Sequence, residues 1–138
     1  MSTTATLSNT THATPLKWQL WLGRGISAFV VFGLLMSASM KLAGKPETIE
    51  MFTTHLGYQA SLLPILAGLE LLSVALYLIP QTAVLGAIIM VGYLGGAVAT
   101  HVRIGEAPTA PIVLGVLAWV GLYLRDARIR KLLPLRSL

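Results

Sequence analysis

An all-α fold, a polytopic membrane protein built as an antiparallel four-transmembrane-helix bundle, follows from three features of the chain. Of its 138 residues, 55% are hydrophobic and only 11% are charged, against about 25% charged in a soluble domain. Mean hydropathy is +0.76. The apolar residues fall into four runs separated by proline, glycine and charge. Helices of a soluble bundle show a polar face at every turn, whereas residues 83–99 offer no polar side-chain atom beyond the Tyr93 phenol.

Residues 1–15 are rich in Ser and Thr, carry no charged side chain, and lack both the basic start and the apolar core of a secretory signal. They are expected to form a disordered tail. The transmembrane domain is expected over 16–126. Lys17, Trp18, Trp21 and Arg24 mix aromatic and basic side chains as a membrane interface does. About 20 residues are needed to cross ~30 Å of hydrocarbon, so the first span is set at 21–42, stopped by Gly44, Lys45 and Pro46. In the connector that follows, 46–52 suits a short interfacial helix with Pro46 in its first turn and Gly57 beyond its end.

The second span is expected at 60–79, with Pro64 in the first turn and Pro80 as its stop. A tight turn around Gln81 makes a hairpin with the third span, 82–101. Pro108 and Pro111 mark the next connector, and the fourth span, 109–124, is short enough to need local thinning or anchoring by Tyr123 and Arg125. Residues 127–138 alternate basic residues with leucine and suit an amphipathic tail lying on anionic headgroups. Lys17, Arg24, Arg125, Arg128, Arg130, Lys131 and Arg136 fall on one side of such a topology, and Lys41, Lys45 and Arg103 on the other. The positive-inside rule then puts both termini in the cytoplasm.

Glu70 is the most informative residue. It falls near the middle of the second span, where a carboxylate costs about 2.5–3.5 kcal/mol on insertion scales. It must turn inward and either find a partner or stay protonated. Ser73 and Tyr77 follow at i+3 and i+7 on the same helical face. Counted from Gln81, Tyr93 lies at nearly the same depth as Glu70. Lys41, His101 and Arg103 stand at the non-cytoplasmic ends of their spans, with His55 and Tyr58 nearby, and Thr100 shares a face with Tyr93. A ligand site is therefore expected among Glu70, Ser73, Tyr77, Tyr93, Thr100, His101, Lys41 and Arg103, with Glu70 and Tyr93 as the candidate catalytic pair. The bland alternative is an interhelical hydrogen-bond hub, with Lys41 and Arg103 reaching headgroups. Gly92 and Gly96 form a GxxxG, which brings helices into close approach within the bundle or between two copies.

Several chemistries are excluded or weakened. With no cysteine, the chain builds no disulfide, thiolate site, iron–sulfur cluster or CxxC relay. Two histidines at one rim do not make a metal site, and only His101 is placed to hold haem. Ser73 has no base at a fixed spacing, so no nucleophilic triad follows. There is neither a P-loop nor a folded basic domain for nucleic acid, so a net charge of +5 speaks for the membrane surface.

The strings His55-Leu56-Gly57-Tyr58 and Leu62-Leu63-Pro64-Ile65-Leu66, the latter leading into Gly68-Leu69-Glu70, resemble the DoxX-like family of small bacterial integral membrane proteins. So do Val91-Gly92-Tyr93-Leu94-Gly95-Gly96-Ala97-Val98-Ala99-Thr100-His101-Val102-Arg103 and Leu117-Ala118-Trp119-Val120-Gly121-Leu122-Tyr123-Leu124-Arg125-Asp126. The resemblance covers roughly residues 17–133. It implies a four-helix bundle in the bacterial inner (plasma) membrane. It also implies association with redox partners, as in the thiosulfate–quinone oxidoreductase subunit that named the family, or a role in assembling membrane proteins. Its span-two acid is Glu70, and its span-three residues are Tyr93, Thr100, His101 and Arg103. The redox-associated branches lean on cysteine, which this chain lacks.

Three functions stand side by side. The first is an accessory membrane subunit that binds a small lipophilic molecule, a quinone or a lipid, with Tyr93, a protonated Glu70 and His101 as donors to its polar end. The second is an enzyme doing acid–base chemistry on a lipophilic substrate through Glu70 and Tyr93. The third is a scaffold that meets a partner membrane protein, or a second copy, through Gly92 and Gly96.

Overall fold

Glycine in the left-handed region and proline at a first helical turn set the limits of most elements. The protein is seen in a computed structural model that describes residues 16–132. The 1–15 tail and residues 133–138 of the basic tail lie outside the described residues. The first helix, α1, runs Lys17–Ala43 and ends at Gly44, whose φ of 61° a residue with a Cβ adopts only under strain. Pro46 then opens a short helix, α2 (Pro46–Glu50), which continues into one turn of π-helix, Met51–His55. Gly57, at φ 73°, turns the chain away. After a single 3-10 turn, Ala60–Leu62, come α3 (Leu63–Leu78) with Pro64 in its first turn, α4 (Ala83–Arg103), α5 (Thr109–Arg125) and α6 (Ala127–Leu132).

The described chain is all-α, with no strand. Three of its helical stretches, Lys17–Ala43, Ala60–Leu78 and Ala83–Arg103, are long and apolar enough to cross a membrane; Thr109–Arg125 is apolar but shorter. The helices are apolar on their outer faces as well as their inner ones: Phe29, Phe32, Ile65, Ile88 and Val116 are each more than half exposed. Such surfaces belong in lipid rather than water.

The four long helices pack as a ring. α1 touches α3 and α5, and α4 touches the same two from the other side. Val30, Leu34, Val74, Tyr77, Met90 and Leu122 fill the middle. The seams are drawn tight by glycine. A Cβ on Gly86 of α4 would lie 2.6 Å from the Tyr77 Cα and 2.7 Å from the Leu76 carbonyl carbon of α3. Gly23 and Gly121 do the same for α1 and α5, where a Cβ on Gly121 would meet the Ser27 Oγ at 2.6 Å. The expected close packing through Gly92 and Gly96 within the bundle is not found. Gly92, Gly95 and Gly96 all have nothing within 4 Å of the Cβ position, and Gly96 borders an internal cavity. The reason is rotational: Ala83, Ala87, Met90 and Leu94 take the inner face of α4, which leaves the GxxxG out of the helix seams.

At the end where the α3–α4 hairpin turns, Thr82 donates its hydroxyl to the Leu76 carbonyl at 2.9 Å. α6 does not stand apart from the bundle. Ile129 is buried in the core, and Arg130 donates to the carbonyls of Tyr123 and Leu124 and to Gln19 Oε1 at 3.1 Å. Asp126, between α5 and α6, accepts from the Arg128 guanidinium at 3.0 Å, and this hydrogen bond holds its carboxyl below the ordinary value of 3.8.

Two outcomes follow. Gly86→Ala forces a Cβ into α3 backbone and destabilises the protein by about 1–3 kcal/mol, whereas Gly92→Ala, in open space, leaves it unchanged or gains up to about 1 kcal/mol; unfolding by SDS in mixed micelles measures both. Because the Asp126 pKa is depressed on folding, its contribution is fully present above pH 3.8 and is lost as pH falls through the lowered value. Asp126→Asn should therefore unfold more easily than the parent at neutral pH, with the gap closing only below pH 3.8.

Candidate ligand-binding site

Lys41 comes from the last turn of α1 and Glu70 from the middle of α3, and their side chains meet: Lys41 Nζ donates to Glu70 Oε2 at 2.9 Å. Both side chains are almost wholly buried, at 2% and 1% exposure. The lysine lies on the inner stripe of α1 formed by Gly23, Ser27, Val30, Leu34 and Ala38, so its stem runs inward rather than toward headgroups. A second N–H goes to Ser37 Oγ at 2.5 Å, and the third reaches the Ser37 carbonyl only at 3.4 Å. The ammonium also sits over two rings, 5.2 Å from the Phe52 centroid and 5.9 Å from that of Tyr93.

This pair forms part of the wall of a cavity of about 240 Å3 between the long helices. Its polar wall is Ser37, Lys41, Tyr58, Glu70, Tyr93 and Thr100, joined by His101; Leu34, Phe52, Leu66, Leu94 and Leu114 make most of the rest. Tyr93 is only partly buried and stands in the field of the Glu70 carboxylate and beside the Ser37 hydroxyl. The Tyr58 hydroxyl donates to Thr100 Oγ1 at 2.5 Å, and Thr100 donates its own hydroxyl to the Gly96 carbonyl at 2.9 Å. His101 Nδ1 lies 2.7 Å from the Ala97 carbonyl. A carbonyl only accepts, so Nδ1 carries the proton and, in the neutral ring, Nε2 is an acceptor.

The connector roofs the cavity. Phe52, Leu56 and Tyr58 are part of its wall. Three polar contacts fasten the connector to the far end of α4 and the turn after it: the Arg103 guanidinium donates to the Leu56 carbonyl, Tyr58 meets Thr100, and His55 Nε2 lies 2.7 Å from Glu106 Oε1. Arg103 thus holds the roof and does not line the cavity.

Ser73 and Tyr77, expected beside Glu70, are buried on the same face but point away from the cavity. The Ser73 hydroxyl bonds back to the Glu70 carbonyl at 2.8 Å. Tyr77 ties three helices: its hydroxyl donates to the Ala118 carbonyl of α5 at 2.7 Å and accepts from Ser27 of α1 at 3.0 Å. Arg125 lies over its ring, 4.4 Å from the centroid. Ser37, Phe52 and Tyr58 were not among the expected site residues. Ser37 precedes Lys41 by one helical turn, a spacing visible in the sequence, whereas the arrival of Phe52 and Tyr58 depends on how the connector folds back. Among the described residues no three His, Asp or Glu side chains gather as a metal site would require.

The DoxX-like family model matches residues 25–121. The chain belongs to the DoxX-like family. The matched segment holds Lys41, Glu70, Tyr93, Thr100 and His101, so the whole polar wall of the cavity falls within the family's own span. No curated protein and no solved structure matches the chain.

Removing one partner of the buried pair leaves the other charge stranded, at about 3–5 kcal/mol, while replacing both with apolar residues of similar volume is close to neutral. Lys41→Met and Glu70→Leu are each expected to destabilise by that amount, and the double variant by much less. A double-mutant cycle in SDS unfolding reads the difference; additive losses would show that the two charges do not depend on each other.

Proposed function

We propose that this DoxX-like protein is a four-span protein of the bacterial inner membrane, with both termini cytoplasmic, that binds a small lipophilic molecule by its polar head. The head is a ring carbonyl of the quinone type. The single observation that carries this reading is the Lys41–Glu70 pair in the wall of a cavity that is otherwise mainly apolar. Sites for small molecules have this character, an apolar wall with a few convergent polar groups.

A carbonyl oxygen needs donors. The most loosely held donors on the cavity wall are the Lys41 ammonium, whose contact to the Ser37 carbonyl is long at 3.4 Å, and the Tyr93 hydroxyl, which lies close to the Glu70 carboxylate and the Ser37 hydroxyl. Those two groups are assigned the role of holding the ligand oxygen. The pairing changes the part given to Glu70. A carboxylate facing an ammonium at 2.9 Å is an acceptor, so it fixes Lys41 and does not itself donate. The same pairing favours binding over acid–base catalysis, because the carboxyl is already engaged by Lys41 and not free to face a reacting atom. His101, with Nδ1 spent on Ala97, has only an acceptor left on its neutral ring and is not assigned to the carbonyl.

The membrane placement rests on the apolar outer faces and on the basic residues gathered at one end. α5 is 17 residues long, about 26 Å at the rise of a helix, a little under the ~30 Å of the hydrocarbon core, so it crosses with local thinning of the bilayer.

The test is a titration of purified protein in detergent with a tail-less dimethoxy-methyl-benzoquinone. Tyr93→Phe keeps the ring and the fold and loses one hydrogen bond, so binding should weaken about three- to tenfold. Equal affinity of Tyr93→Phe and the parent, or no binding to the parent, rejects the reading.

A further inference from the structure

The cavity is smaller than the ~300–1,000 Å3 of sites that enclose a drug-sized ligand. It takes a single-ring head and little more. A molecule that lives in a membrane carries a hydrocarbon chain as well, and that chain must leave the cavity somewhere. The outer side of the α4–α5 seam holds a second, open depression of about 420 Å3. Val91, Gly95 and Val98 of α4 and Gly115, Val116 and Trp119 of α5 form its floor and sides. Leu94 and Pro111 belong to both the cavity and this groove. Next to them in sequence the cavity wall holds small residues, Gly96 and Ala97 on α4 and Ala110 on α5, and the two spaces share one wall at Leu94 and Pro111. The groove spans 91–98 on α4 and 111–120 on α5, about 10–14 Å along the helices.

We infer that the α4–α5 groove takes the hydrocarbon tail of the molecule whose carbonyl head fills the cavity, so that the ligand class is a tailed amphiphile that enters sideways from the bilayer. This rests on the head-group reading above. The two glycines give the groove its depth. Gly95 has no atom within 4 Å of the Cβ position, and Gly115 has only the tips of Leu94 and Val91, at 3.8 and 4.0 Å. Lipid is as apolar as the groove, so the tail gains little from leaving the bilayer. What it gains is close contact with a shaped wall and a fixed direction for the head.

The experiment compares two probes on the parent and two variants, in one detergent. The probes are the tail-less dimethoxy-methyl-benzoquinone and the same ring carrying a decyl tail. Gly95→Phe fills the groove from a position with open space around it. Gly92→Phe places the same ring on the same helix, also in open space, outside both cavity and groove. The parent and Gly92→Phe should bind the decyl probe about tenfold more tightly than the tail-less one, and Gly95→Phe should lose that advantage while still binding the tail-less ring. If the tail adds nothing in the parent, or if both variants reduce it equally, the groove assignment is overturned and the head-group site stands; an ordinary bilayer chain is then what covers the groove. If neither ring binds the parent, both proposals fall together.

Discussion

A lysine and a glutamate that meet at 2.9 Å, with almost no exposed surface, set the terms for everything around them. Neither charge is tolerable alone in that place. Their pairing fixes the rotation of α1 against α3, since the Lys41 stem must run down the inner stripe to reach the middle of its neighbour. It also explains why a polar chamber exists within so apolar a chain. Ser37 satisfies the ammonium beyond what Glu70 can, and the Phe52 and Tyr93 rings shield it.

The two ends of the bundle are built by different means. At the end holding Tyr77, aromatic, hydroxyl and guanidinium groups are spent on one another and on carbonyls: Tyr77 on Ala118, Arg125 on Tyr77, Arg130 on the last turn of α5. Most polar capacity there holds helices together, with the buried Arg125 Nε left without a partner among the described residues. At the other end the connector folds over the gap between helices, and the side chains of Ser37, Lys41, Tyr58, Glu70, Tyr93 and Thr100 gather on one cavity wall. A rigid base under an open chamber suits the preorganisation that a binding site needs.

Much of this was legible from residue order. Proline and glycine mark where helices start and stop, at Gly44, Pro46 and Pro64, and the cost of a carboxylate in an apolar span agrees with the burial of Glu70. The partner of Glu70 was not, because depth along α1 places Lys41 near a rim, and only its register with Gly23, Ser27, Val30, Leu34 and Ala38 shows that it faces in. That register is present in the sequence as the helical spacing of 23, 27, 30, 34, 38 and 41. Tyr77 illustrates the converse. Its inward face was evident, but its bond to Ala118 depends on how far α5 is rotated, which no spacing within α3 can report. The GxxxG does not pack within the bundle for a related reason: the spacing says that something can approach closely, and the larger Met90 and Leu94 decide which side of α4 is turned to the core.

The hydrogen bond between Gln19 and Arg130, 3.1 Å long, joins the first described helix to the last. With α1 lying against both α3 and α5, the helices form a hoop in which no member is topologically first. The order in which the chain visits them is one way of cutting that hoop, and the cut falls at a place already bridged by side chains. Linking Lys17 to Leu132 and opening the chain between α4 and α5 would describe the same solid with a different thread. Cohesion in this molecule thus belongs to the circle of contacts more than to the connectors that string it together.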